Sequence, residues 1–152
     1  METPVGMHDL SVNECWMLLR SAQVGRLAVV VEGGPEIFPV NFVVDHGTVV
    51  FRTAEGTKLA SATSDEPVAF EADAFDPAAG EAWSVVIKGR AKEIRGNFSE
   101  LFDALSLPLF PWHAGPKQHF VRVSADQVSG RRFRVVDPEF WGIPAIHKSS
   151  PD

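Results

Sequence analysis

Apolar and polar positions change rhythm several times along this chain, and the changes mark its elements. Ser11-Val-Asn-Glu14 forms a capping box, with Leu10 placed to staple against Cys15. Val12, Cys15, Trp16 and Leu19 follow at i, i+3, i+4 and i+7, which predicts a helix over 12–22 with these residues on its buried face. Gly25 releases the chain into an apolar run, read as a strand over 26–31. Turn chemistry at 32–35 and at Asp45-His46-Gly47 brackets a second strand over 36–45. Pro39 inside it favours a sheet edge or a bulge, because proline has no N–H for a ladder. A third strand is expected over 48–53 and a short helix over 57–64. Further strands are expected over 67–73, 82–93 (with a bulge at Gly89), 119–128 and 131–136. Residues 75–80 read as loop and Ser129-Gly130 as a turn. A second capping box, Asn97-Phe-Ser-Glu100, starts a helix to about Leu105, followed by a proline-rich segment over 107–116.

Six or seven short strands with small helices, and no βαβ alternation, predict a mainly β fold: an antiparallel barrel, closed or nearly so. One domain over 1–152 is expected, with 1–8 a flexible arm and 137–152 a surface tail.

Charge narrows the function. The formal net charge of −6 argues against a general nucleic-acid binder, which needs a basic surface to displace counterions. Cys15 is the single cysteine, so neither a disulfide framework nor a multi-cysteine metal site is expected, and its place is the buried side of the first helix. No apolar run reaches the ~18 residues of a membrane span, and the N-terminus lacks a signal pattern. A cytoplasmic protein is the expectation. Tyrosine is absent, so any stacking must use the 11 Phe and 4 Trp.

Candidate chemistry concentrates at 51–62. There a strand end meets a helix start, and Arg52, Thr53, Thr57 and Lys58 surround Gly56. Helix-terminal N–H groups with converging cations suit a phosphate. A solvated lysine beside a threonine-capped helix explains the same residues. The spacing is not that of a Walker loop, and no G-x-G-x-x-G follows a strand. Glu71 and Asp73 share one face of a strand, either as an acid pair or as a solvated face. His46 reads as a solvated turn residue and His119 as structural, while Arg131, Arg132 and Arg134 either attract an anion or offset the acidic surface.

Gly25-Arg-Leu-Ala28, Phe38-Pro-Val-Asn-Phe42, Val50-Phe-Arg-Thr53, Gly56-Thr-Lys-Leu59, Pro67-Val-Ala-Phe-Glu71, Trp83-Ser-Val-Val86 and Gly89-Arg-Ala91 occur in that order. Together they resemble the pyridoxamine 5′-phosphate oxidase-like proteins, the FMN-binding split β-barrel family. The likeness is nearer to its small actinobacterial and nitroimidazole-resistance-type members and covers about 9–135. The resemblance implies a flavin-dependent oxidoreductase acting on a small molecule, as a homodimer with FMN between the subunits. Carried over, Pro39, Val40, Asn41 and Phe42 would line the isoalloxazine ring, partly through backbone groups. Phe51, Arg52 and Thr53 would border the ring and ribityl chain, and Thr57 and Lys58 would hold the phosphate. Trp83 and Ser84 would touch the cofactor from a neighbouring strand, while Trp112 and His113 would reach the partner's flavin or a substrate. Gly56-Thr57-Lys58 lacks the middle arginine of the family's Ser-Arg-Lys clamp, and no clear match to its C-terminal substrate motif lies near Arg131–Arg134. Vitamin B6 oxidation is therefore not expected. Relatives that use a deazaflavin coenzyme or haem leave two alternatives: a deazaflavin-dependent reductase, and a flavin or haem carrier without turnover. A dimeric interaction module with a vestigial pocket is a third.

Overall fold

The computed structural model describes residues 6–54, 56, 60, 62–94 and 119–135. In chain order these form β1 (Met7–Asp9), α1 (Val12–Ser21), β2 (Val24–Val31), β3 (Gly34–Asp45), β4 (Thr48–Thr53), β5 (Val68–Asp76), β6 (Glu81–Glu93) and β7 (His119–Arg134). All strand pairs are antiparallel, in the order β1-β7-β4-β3-β2-β5-β6. A further β6–β7 pairing closes the ring. The fold is the expected split-barrel type, mainly β with one short helix among the described residues.

Local chemistry accounts for several of these elements. Ser11 caps α1 by accepting from the Glu14 N–H at 3.2 Å. His46 and Gly47 both have positive φ (48° and 71°) and link the Asp45–Thr48 pair, as a tight primed hairpin turn requires. Pro39 stands opposite Arg26. The Phe42 N–H donates to the Gln23 carbonyl, so alternation along the ladder leaves Pro39 at a non-hydrogen-bonded position, where its missing N–H costs nothing. β3 changes partner just beyond it: Gly34–Asn41 pairs with β2 and Phe42–Asp45 with β4.

The barrel interior is apolar and filled. Leu27, Val49, Phe51, Phe70, Ile87, Val121 and Val123 are fully buried. Phe42 meets Phe70 edge-on, with ring centroids 4.8 Å apart. Gly89 sits at the predicted bulge, where the β6–β7 register shifts. A Cβ there would stand 1.8 Å from the Ser124 carbonyl oxygen, so only glycine lets the strands close.

Four expectations are corrected. Met7–Asp9 is not loose arm but pairs with Arg131–Phe133. β5 runs on to Asp76, because Ala74–Asp76 keep their partners on β6. Ser129-Gly130 does not turn: β7 is one strand of 16 residues. Gly130 serves packing, since a Cβ there would lie 2.7 Å from Cys15 Sγ and 3.1 Å from Leu10 Cδ1. Val12 is 54% exposed and drops out of the expected stripe, whereas Cys15, Trp16 and Leu19 keep their places against the core, joined by Leu18 and, just past the helix, Ala22. Val12 lies immediately after the cap, ahead of the turn that meets the core. Of the helix expected over 57–64, residues 60 and 62–64 are described, with Ala60 and Ala62 helical; the helix expected over 97–105, the 107–116 segment and the 137–152 tail lie outside the described residues. No described helix is long and apolar enough to cross a membrane.

Candidate functional site

Strand alternation divides the candidate residues between two faces. Val40, Phe42, Phe51 and Thr53 point into the barrel, each at most 3% exposed. Their side chains belong to the core, which leaves only their backbone for a ligand. Pro39, Asn41 and Arg52 take the outward face of β3 and β4, and the Arg52 guanidinium lies 5.0 Å from the centre of the Phe120 ring. Thr57, Lys58, Trp112 and His113 lie outside the described residues.

Trp83 packs partly buried against the core from β6. Ser84, its neighbour, lines a groove of ≈ 500 Å³ with Val86, Ser129, Arg131, Asp9 and Leu10. This groove does not adjoin Pro39 within one chain. The strand register runs Pro39–Arg26–Glu71–Val86 across β3, β2, β5 and β6. Three strand spacings separate the ends of that row by roughly 14 Å. Going the other way, Ser84 and Glu93 are on one strand, roughly 30 Å apart along it. Two half-sites therefore stand on separate parts of the barrel.

Between them lies a charged cluster on the outward face. Arg26 Nη1 donates to Glu71 Oε2 at 3.0 Å and to Asp73 Oδ2 at 3.3 Å. Burial, together with the hydrogen bond and charge of Asp73, pushes the Glu71 carboxyl up to about 7 against the pull of Arg26. The same carboxylates raise the Arg26 pKa. The acid-pair reading of Glu71 and Asp73 thus has a geometric basis, although Asp73 keeps 49% of its side chain exposed.

A second pair closes one mouth of the barrel. His119 Nδ1 is 2.5 Å from Glu93 Oε1, with side chains 24% and 10% exposed. Two residues on from the buried Phe51–Val121 pair, Thr53 stands opposite His119. The Thr53 hydroxyl donates to the Ala54 carbonyl at 3.3 Å. Beyond it, the Ala60 N–H donates to the Gly56 carbonyl, the bond of one helical turn. A third cluster joins Arg122 Nη1 to Asp45 Oδ2 at 3.0 Å and to the Thr48 hydroxyl at 2.6 Å.

Arg26–Glu71, Glu93–His119 and Asp45–Arg122 join residues 45, 26 and 77 positions apart. No local motif announces such contacts. Alternation could have placed each side chain on its face, but not its partner strand.

Comparison with known proteins supplies the family. A family model for pyridoxamine 5′-phosphate oxidase matches residues 11–132. A solved FAD-binding protein of Mycobacterium smegmatis is 46% identical; the match covers 83% of this chain and 97% of that one, with a TM-score of 0.71. A Corynebacterium glutamicum structure, of a candidate pyridoxamine 5′-phosphate oxidase, is 33% identical over 90% of this chain and all (100%) of its own, with a TM-score of 0.76. An uncharacterised protein of Mycobacterium tuberculosis is 45% identical over 92 residues, 60% of this chain and 81% of that one. A Bacteroides thetaiotaomicron structure, of a candidate 5-nitroimidazole resistance protein, shares the fold at 16% identity and a TM-score of 0.64. With most of the chain matched and the barrel in common, this protein belongs to the pyridoxamine 5′-phosphate oxidase family.

Proposed function

We propose that this chain is a flavin-dependent oxidoreductase that binds FMN between the two subunits of a homodimer and acts on a small molecule. The observation that carries the reading is the separation of the two half-sites. Pro39, Asn41 and Arg52 form one, and the groove at Ser84 the other, on parts of the barrel that one chain keeps apart. A second copy related by a two-fold axis sets one subunit's β3–β4 corner against its partner's groove. The outward face of β2 and β3 favours such a contact: Val30 and Ile37 are 62% and 66% exposed there.

The donor set fits a flavin. The filled barrel interior has no room for the ring system, so the cofactor lies on the outward face. Pro39 supplies apolar surface, Asn41 an amide for the polar ring edge, Arg52 a cation and Ser84 a hydroxyl for the ribityl chain. Thr57 and Lys58, next in sequence after Gly56, are assigned to the phosphate. When bound, the flavin supplies the electron transfer, and the chain's task is to hold it, keep water from it and admit the substrate. No side chain of the described set is assigned as an acid–base catalyst.

FAD is the second reading, favoured by the 46% identical FAD-binding relative. It needs room for an adenylate beyond the phosphate. The visible spectrum of the purified protein tests both, with mass analysis of the heat-released cofactor and light scattering for subunit number. A yellow dimer releasing FMN is expected; a colourless protein that takes up neither FMN nor FAD ends the proposal. A bound deazaflavin or haem would redirect it.

A further inference from the structure

We propose that two copies of this chain pair face to face across β2 and β5, with Arg26 of each subunit against Glu71 of the other, and that this exchange of charges selects the second copy. The inference rests on the reading above and deepens it, by naming the axis and the residues that fix the dimer.

The sheet register is the first argument. On the outward face one row reads Pro39–Arg26–Glu71–Val86 and the next Ile37–Ala28–Ala69–Lys88, across β3, β2, β5 and β6. A two-fold axis parallel to the strands, passing between β2 and β5, lays each row on its own reverse. Pro39 then meets the partner's Val86, which lines the groove with Ser84. Ala28 meets the partner's Ala69, small against small, and Ile37 meets the aliphatic stem of the partner's Lys88. Arg26 meets the partner's Glu71, and symmetry makes that contact twice. An axis across the strands instead sets each strand against its own copy. It keeps Pro39 from the groove, and β2 has no carboxylate to meet Arg26.

The setting of the charges is the second. Arg26 keeps 52% of its side chain exposed and Glu71 28%. Pro39, Ala28, Ala69 and Val86 surround them with apolar surface. Both bonds from Arg26, to Glu71 and to Asp73, run through Nη1 of a fork with five N–H donors. An apolar partner would strip water from this cluster and return nothing. A second copy returns a guanidinium to each Glu71 and a carboxylate to each Arg26. Such matched charges fix partner and register more than affinity.

Subunit number is measured on the full chain by light scattering and sedimentation at pH 8, above the value of about 7 to which the Glu71 carboxyl is pushed. Arg26→Glu and Glu71→Arg should each raise the dimer Kd about a hundredfold, since each sets like charges opposite one another twice. Mixed in equal amounts, the two variants should form a heterodimer, because each then meets the opposite charge. Both substitutions in one chain should restore self-pairing. Single variants that stay dimeric overturn the inference. So do monomeric variants that fail to pair when mixed, for then the cluster acts only within its own chain. If the single variants do not fold, Ile37→Lys and Ile37→Glu replace them, at a position 66% exposed. The lysine variant should weaken the dimer more, since it faces the partner's Lys88, and equal effects overturn the inference. A wild-type monomer removes the dimer from the proposed function and this inference with it, whereas a dimer without flavin removes the cofactor reading alone.

Discussion

The two faces of the barrel wall are built from the same strands on different principles. Inward, Phe42, Phe51, Phe70, Val85, Ile87 and Val121 form one apolar cluster in which no side chain has a single designated partner. Outward and at the mouth, Arg26–Glu71–Asp73, Arg122–Asp45–Thr48 and His119–Glu93 are specific matches of donor to acceptor. The inner face works by volume and area, so its losses are large and independent of pH. The outer face works by charge, so its losses are smaller and depend on protonation and ligand.

Phe70→Ala should break the inner face most severely. It empties a fully buried ring that packs on Phe42, and should cost about 3–5 kcal/mol in urea unfolding. A loss under about 1 kcal/mol would mean that the core is not close-packed. Gly89→Ala should follow, at about 3 kcal/mol, because the added methyl meets the Ser124 carbonyl across the closing seam. On the outer face, Arg52→Ala should weaken FMN binding about tenfold and leave the melting temperature nearly unchanged, a contrast neither core variant can show.

Protonation gives a finer probe. The Glu71 carboxyl holds its proton up to about 7 in the folded chain, against an ordinary value of 4.5. Between those values the folded state binds more protons than the unfolded state, so stability falls as pH rises through that window. Burial and Asp73 outweigh Arg26 in setting that direction. Glu71→Gln should flatten this part of a pH–melting curve; an unchanged slope would show that another group titrates there. The smallest effect belongs to His46. Its side chain is 93% exposed but its φ is +48°. His46→Asn should therefore stabilise slightly, by about 0.5 kcal/mol or less, since asparagine suits the primed turn better.

Much of the barrel was legible before its structure. The span of β4 was read to the residue, and the bulge at Gly89, the cap of α1 and the turn at His46-Gly47 all followed from local chemistry. The errors share a cause. Ser129-Gly130 has the composition of a turn, yet β7 runs through it, because Gly130 accommodates Cys15 and Leu10 rather than reversing the chain. Met7–Asp9 has no strand signal of its own and becomes one through its pairing with β7. The site divides in the same way. The resemblance set all seven of Pro39, Val40, Asn41, Phe42, Phe51, Arg52 and Thr53 at the cofactor; alternation could have separated Pro39, Asn41 and Arg52 from the other four, but not shown that Ser84's strand lies three strands from Pro39's.

By itself, the sequence determined what short-range physics controls: which segments extend, where they turn, which face each side chain takes and which family the ordered motifs resemble. Tertiary structure alone decided that β7 would bridge β4 and β6, that Arg26 would meet Glu71 and that Glu93 would meet His119. The reason is physical. A period of two assigns a side chain to a face whatever strand lies alongside. Partner and register are settled only when the whole ring closes around one core, here with a glycine at each of three close contacts, Gly25, Gly89 and Gly130.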